Sequence, residues 1–172
     1  MNTMNARQIS KLSMLTAFAL IVFSIELQLP APVPIPGVKL GLSNIVTLFS
    51  IYTVGRRYAG AVLFLRIVLG NLLCGQAVAM WFSIAGGLVC YGVMCFASWR
   101  LTEKQIWVVS ILGAVGHNIG QMTIAATLVG ASAVLFYLPV LLVSAILTGL
   151  FTGLCAQYVY AHLHRAFPIM FR

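Results

Sequence analysis

Six apolar stretches, at about residues 12–29, 40–55, 58–75, 77–97, 105–130 and 134–160, take up most of this chain, and only short polar connections separate them. Several approach the roughly 20 residues that carry a helix across the hydrocarbon core of a bilayer. A water-soluble alternative needs a charged exterior, and the chain has too little charge to make one. Its acids are Glu26 and Glu103 alone, and 7% of its residues are charged, against about 25% in ordinary soluble domains. A surface built from such a sequence faces lipid. The expected fold class is an all-α integral membrane protein, a compact bundle of six transmembrane helices forming a single domain over residues 1–172.

Basic residues accumulate in cytoplasmic connections, and their distribution supplies an orientation. With six spans, Arg7, Lys11, Arg56, Arg57, Arg100, Lys104, Arg165 and Arg172 fall on one side and Lys39 on the other. Both termini are therefore expected in the cytoplasm of a multi-pass protein of the cell membrane. The apolar stretch after Lys11 is too long for a cleaved signal peptide and lacks a small-x-small cleavage site, so it reads as a retained helix. The second and third stretches are short: a helix over residues 40–55 rises only about 24 Å. Whole loops shrink to Arg56-Arg57, Gly75-Gln76 and residues 130–133, which makes neighbouring helices antiparallel hairpins.

Several functions are disfavoured by what is missing. The basic residues form no stripe with aromatics, so nucleic acid is not an expected partner. There is no GxxxxGK[ST] run to hydrolyse a nucleoside triphosphate, and no Ser/His/Asp set. The cysteines, Cys74, Cys90, Cys95 and Cys155, show no metal-ligand spacing and read as packing residues. With no aspartate at all, the chain cannot hold magnesium diphosphate by itself. It is not expected to be an enzyme, and no cofactor or metal is implied.

Polar side chains within spans are expensive, so their depth is informative. On the orientation above, Glu26, Gln28, Lys39, Asn44, Asn71, Gln76 and Gln121 lie towards the outer face, while Arg66, His117 and Asn118 lie near mid-depth. This outward bias suits a cavity open to the outside and closed towards the cytoplasm. Projected at about 100° per residue, His117 and Gln121 share one face of the fifth helix, with Asn118 about 100° away and Gly113, Gly116 and Gly120 on the adjoining side. The strip serves either a ligand or simple bonding between helices. An unpaired mid-depth arginine costs about 2.5–3.5 kcal/mol, so Arg66 needs a partner, either Glu26 or an anionic ligand. The prolines of the stretch from Pro30 to Gly37 forbid helix and make either a stiff connector or a lid.

Three runs, Pro36-Gly37-Val38-Lys39-Leu40-Gly41-Leu42-Ser43-Asn44, Leu65-Arg66-Ile67-Val68-Leu69-Gly70-Asn71 and His117-Asn118-Ile119-Gly120-Gln121, resemble the bacterial Gx transporter family, also labelled heptaprenyl diphosphate synthase component I. The resemblance extends over about residues 11–162. It implies likeness to the substrate-binding S components of energy-coupling-factor transporters: six-helix bundles that bind substrate near the outer face and work with a transmembrane coupling subunit and ATPases. It also implies that Ser13 and Ala17 lie at a subunit interface, although Ser13-xxx-Ala17 departs from the AxxxA form.

Together these readings make Glu26, Lys39, Asn44, Arg66, Asn71, His117, Asn118 and Gln121 the candidate substrate-binding residues, for an anionic or amphiphilic small molecule. The alternatives are a non-catalytic membrane subunit docking a soluble prenyl synthase, and a scaffold without a ligand.

Overall fold

The structure, a computed structural model, describes residues 6–30, 39–75 and 77–166. It contains six α-helices: α1 (Ala6–Glu26), α2 (Asn44–Thr53), α3 (Arg56–Leu73), α4 (Ala77–Arg100), α5 (Ile106–Val129) and α6 (Ala131–Ala166). A 3-10 turn, Glu103–Gln105, precedes α5, and no strand occurs among the described residues. Ala6–Glu26, Ala77–Arg100, Glu103–Leu128 and Val134–Ala166 are each long and apolar enough to cross a membrane. The stretch from Ala31 to Gly37, expected as connector or lid, and Gln76 lie outside the described residues.

The largest departure from expectation is α2. An apolar stretch at 40–55 becomes a helix of only 10 residues, rising about 15 Å, half of the roughly 30 Å hydrocarbon core. Its start is delayed because Gly41 sits at φ +79°, in the left-handed region that suits glycine, and the backbone N–H groups of Gly41, Leu42 and Ser43 all bond the Glu26 carboxylate. Gly55, at φ +88°, ends the segment on the other side. Arg56 and Arg57, expected as a loop, instead open α3. The expected loop at 130–133 shrinks to Gly130, whose φ of +92° turns the chain directly into α6, and α6 runs on to Ala166.

Short as it is, α2 packs against every other helix, so the bundle is organised around a half-length central element. Its C-terminal end enters an apolar cluster in which Leu48 and Ile51 meet Ala59, Met94, Ile106 and Tyr160. Glycines bring α4, α5 and α6 together. A Cβ on Gly120 would lie 2.5 Å from the Ala85 carbonyl oxygen, and one on Gly149 or Gly153 would lie 2.8 or 2.6 Å from the Cα of Ile111 or Trp107. The GxxxG spacing on α6 is thus used in packing within the chain, where small residues allow close backbone approach. Large apolar side chains such as Phe18 and Ile21 of α1 and Phe136 and Phe151 of α6 remain exposed, as lipid contact requires. Ser13 and Ala17 lie on that exposed side of α1.

Candidate functional site: a buried polar chamber

At the N-terminal end of α2 the apolar interior gives way to charged and amide groups. Glu26, in the last turn of α1, is 5% exposed. Its Oε1 accepts from the N–H of Gly41 and, at 3.1 Å, from that of Leu42, while Oε2 accepts from the N–H of Ser43 at 3.1 Å. These donors precede a helix N-terminus, where backbone N–H groups lack intrahelical acceptors and negative charge is favoured. Arg66, from the middle of α3, reaches the same segment: Nη1 donates to Ser43 Oγ and Nη2 donates to Asn44 Oδ1 at 3.2 Å. Glu26 and Arg66 therefore meet through residues 41–44, each bonded to that segment, and make no hydrogen bond to one another.

A second chain of bonds starts at Lys39. Its backbone N–H donates to Gln121 Oε1 at 3.2 Å, and Gln121 Nε2 lies 2.6 Å from His117 Nε2 one turn away on α5. The Lys39 ammonium donates to Asn71 Oδ1 at 3.5 Å and stands 4.1 Å from the centre of the Phe23 ring, a cation–π contact. Asn71 in turn donates to the Ile67 carbonyl at 2.8 Å, within α3. Burial pushes the Lys39 ammonium down from its ordinary 10.5 to about 8; Glu26 opposes that shift and Arg66 adds to it.

These groups surround a cavity of about 10 Å³, lined in part by Glu26, Lys39, Gly41, Arg66, Ser83 and His117. That is about the room of a single water, so the chamber has no substrate-sized space in this conformation. Bonds are left unmade around it: Arg66 Nε, on a lining residue, and Asn44 Nδ2, on a residue next to the lining Ser43, are buried and have no hydrogen-bond partner, while His117 Nδ1 packs against the backbone of Gly86. An unsatisfied buried group costs about 1–3 kcal/mol, more when charged, and such atoms mark places where something else can bond.

Of the eight residues expected to bind substrate, seven come together here: Glu26, Lys39, Asn44, Arg66, Asn71, His117 and Gln121. Asn118 goes elsewhere. Its Nδ2 donates to the Leu141 carbonyl at 2.7 Å and ties α5 to α6, as its 100° offset from His117 on the helix allows. Five lining residues, Phe23, Gly41, Ser43, Ile67 and Ser83, were not singled out from sequence. Phe23 shares a face with Glu26 three residues on, and that was a usable signal. Ser43 and Gly41 lie inside one of the family-like runs, whereas nothing in the sequence around Ser83 distinguishes it. Gly41 has to be glycine twice over, for its φ and because a Cβ would stand 2.9 Å from His117 Cδ2. Among the described residues no three His, Cys, Asp or Glu side chains converge on a point.

Apolar helices folded around a buried polar chamber, with two cations set against one carboxylate, define a helical membrane protein. A family model described as heptaprenyl diphosphate synthase component I matches residues 15–159, and the chain belongs to that family. It is also similar to the riboflavin transporter RibU of Lactococcus lactis subsp. cremoris, in strains NZ9000 and MG1363. Each is 31% identical over 99 residues, which cover 58% of this chain and 48% of the relative. The chain thus spans about half the length of the curated relatives it matches. No solved structure matches it.

Proposed function

We propose that this chain is the substrate-capturing membrane subunit of a small-molecule uptake transporter, built like an S component and energised by separate subunits. On this reading the single domain crosses the cell membrane with both termini in the cytoplasm. The chamber then faces outwards, and the half-length α2 forms its floor. The observation that carries the proposal is the chamber itself, at the end of the bundle away from the basic connections: Arg66 and His117, both less than 5% exposed, line it, and Arg66 Nε has no partner. Intramembrane ionisable groups are too costly to keep for packing alone. Arg56, Arg57, Arg100 and Lys104 gather at the opposite end, where the positive-inside rule puts the cytoplasm.

The substrate we propose is anionic or amphiphilic. The relatives are riboflavin transporters, and riboflavin is a large uncharged tricycle. A chamber holding Lys39 and Arg66 against the single carboxylate of Glu26 favours a negative group instead. A closed form with room for one water suits a subunit that seals over its ligand, with Lys39 and Gly41 in the non-helical part of the lining. Ser13 and Ala17, exposed on α1, are the proposed contact with a coupling subunit.

The family's description supports a second reading, a membrane subunit that docks a soluble heptaprenyl diphosphate synthase partner through its basic connections. Native mass spectrometry of the protein drawn gently from its own membranes separates the two. A transmembrane subunit with ATPases and a bound small molecule is the expected result; a soluble prenyl synthase in their place overturns the uptake reading.

A further inference from the structure

At the end of the bundle away from the chamber, a groove breaks the lipid-facing surface. It is lined by Lys11, Met14 and Leu15 of α1, Phe49 and Thr53 of α2, Val54 just beyond them and Leu163 of α6. Its origin lies in which helices can close on which. α6 uses Gly149 and Gly153 to approach the backbone of α5, whereas α1 has no glycine at all. Both α1 and α6 pack on α2 but not closely on one another, and a gap is left between them beside the C-terminal end of α2.

The gap has about 150 Å³ free, against about 10 Å³ in the chamber. An apolar cavity of about 150 Å³ admits a group the size of benzene. Apart from Lys11 and Thr53 the lining is apolar, and the Thr53 hydroxyl is used in donating to the Phe49 carbonyl at 2.9 Å. Such walls favour hydrocarbon, since a polar group placed there would go unbonded. Charge collects at one end only. Projected at about 100° per residue, Arg7, Lys11, Met14 and Leu15 fall within about 100° of one another on α1, with the two cations one turn apart. Arg57, three residues after Val54, and Arg165, two after Leu163, are exposed near the same end. Glu103, the acid at this end, is bonded to the Tyr160 hydroxyl.

We infer that the groove is a binding site for an anionic phospholipid: part of one acyl chain lies in the gap between α1 and α6, and the phosphate diester sits at Arg7 and Lys11. An ammonium has three hydrogens, so Lys11 holds a phosphate oxygen beside its contacts within the protein. Basic residues at the cytoplasmic ends of membrane helices select anionic head groups, and a choline head group brings its own cation to a place already positive. Ser13 and Ala17 lie about 130° further round α1, so a coupling subunit seated on them leaves the groove to lipid. This inference goes beyond the uptake reading and takes from it only the orientation, which puts the groove in the cytoplasmic leaflet.

The test is native mass spectrometry of the purified full-length protein in neutral detergent, titrated with phosphatidylglycerol or with phosphatidylcholine of the same acyl chains. The first phosphatidylglycerol is expected to bind about fivefold more tightly, the effect of one basic side chain near an anionic head group. Lys11→Gln removes that preference and leaves phosphatidylcholine binding as it was. Leu163→Trp, which fills the gap, abolishes the first site for both lipids without lowering the unfolding midpoint. Lys104→Gln, at the same end but off the groove, changes neither. Equal affinity for the two lipids overturns the head-group assignment, equal losses in Lys11→Gln and Lys104→Gln reduce it to general surface charge, and undiminished binding in Leu163→Trp overturns the groove. A benzophenone amino acid in place of Met14, irradiated in the native membrane, identifies the occupant: a crosslink to phospholipid is expected, and crosslinks to polypeptide alone overturn the proposal. If lipid binds as expected while no coupling subunit accompanies the native protein, the uptake reading fails and this inference stands.

Discussion

At its N-terminal end α2 meets the Glu26 carboxylate and the Arg66 guanidinium; little more than a turn further on, Leu48 and Ile51 enter an apolar cluster with Met94, Ile106 and Tyr160. The first end is held by a few directional bonds, on a segment whose Gly41 is left-handed, and two buried nitrogens there, Asn44 Nδ2 and Arg66 Nε, bond nothing. The second is held by dispersion and close packing spread over many atoms, none of them decisive alone. Bonds of the first kind can be exchanged for bonds to a ligand one at a time. Packing of the second kind is lost only when the helices separate. Two ends of one short helix therefore combine a rearrangeable site with a rigid base, as regions of low and high local stability do in other proteins.

The comparison breaks most visibly if the two ends respond alike to truncation. Met94→Ala, in the apolar cluster, should cost about 2–5 kcal/mol and lower protection throughout the bundle, measured by thermal unfolding together with hydrogen exchange in detergent. Glu26→Ala strands three backbone donors and should cost about 3 kcal/mol at about 1 kcal/mol or more for each. Here the faster exchange is expected at residues 41–43, with 48–51 still protected; loss of protection at both ends alike would make the chamber part of the common core. Gly41→Ala forces a side chain into a left-handed conformation against the His117 ring, and about 1–3 kcal/mol of destabilisation should appear at the same end.

Titration sharpens the contrast further, because Lys39 gives the polar end a buried ammonium. Burial, with help from Arg66, outweighs the opposing pull of Glu26 and Cys74 and leaves its folded pKa at about 8, below the ordinary 10.5. Between about 8 and 10.5 the folded chain has released a proton that the unfolded chain keeps, so this group's contribution to stability rises with pH across that window. Over the same rise the chamber loses a positive charge, and affinity for an anionic substrate should fall above about pH 8. Unfolding titrations of Lys39→Met should lack the rise in stability. The smallest effect expected is that of Asn118→Val, which removes the bond to the Leu141 carbonyl between α5 and α6. About 0.6 kcal/mol, the usual size of such a bond in a membrane, should be lost in unfolding measurements.

Much of the chamber was legible in the sequence. Residues that pay to be in an apolar stretch are few, and Glu26, Lys39, Asn71 and Gln121 fall at matching depths when the stretches are laid antiparallel. The i, i+4 spacing of His117 and Gln121 put them on one face, and their side chains do bond there. The Arg66 partner was not legible. Glu26 was the one acid at that depth, yet the acceptors of Arg66 are Ser43 Oγ and Asn44 Oδ1, and Glu26 is occupied by backbone donors. Those donors become available because residues 41–43 leave the helix, and apolarity alone gave no sign of it. Asn118 illustrates the same limit on α5, since adjacency in sequence to His117 sent it towards α6.

The sequence by itself determined that this chain is a bundle of apolar helices and that its polar groups collect towards one end. Those are properties of composition and depth, which a linear reading measures. Tertiary structure decided that α2 is half a span surrounded by the other five helices, that Glu26 holds the backbone while Arg66 holds side chains, and that Arg66 Nε and Asn44 Nδ2 are buried without partners. The physical reason is that a hydrogen bond depends on direction as well as proximity. Direction is set by the rotation of each helix against its neighbours and by the turn at Gly41, neither of which is a property of any single stretch of sequence.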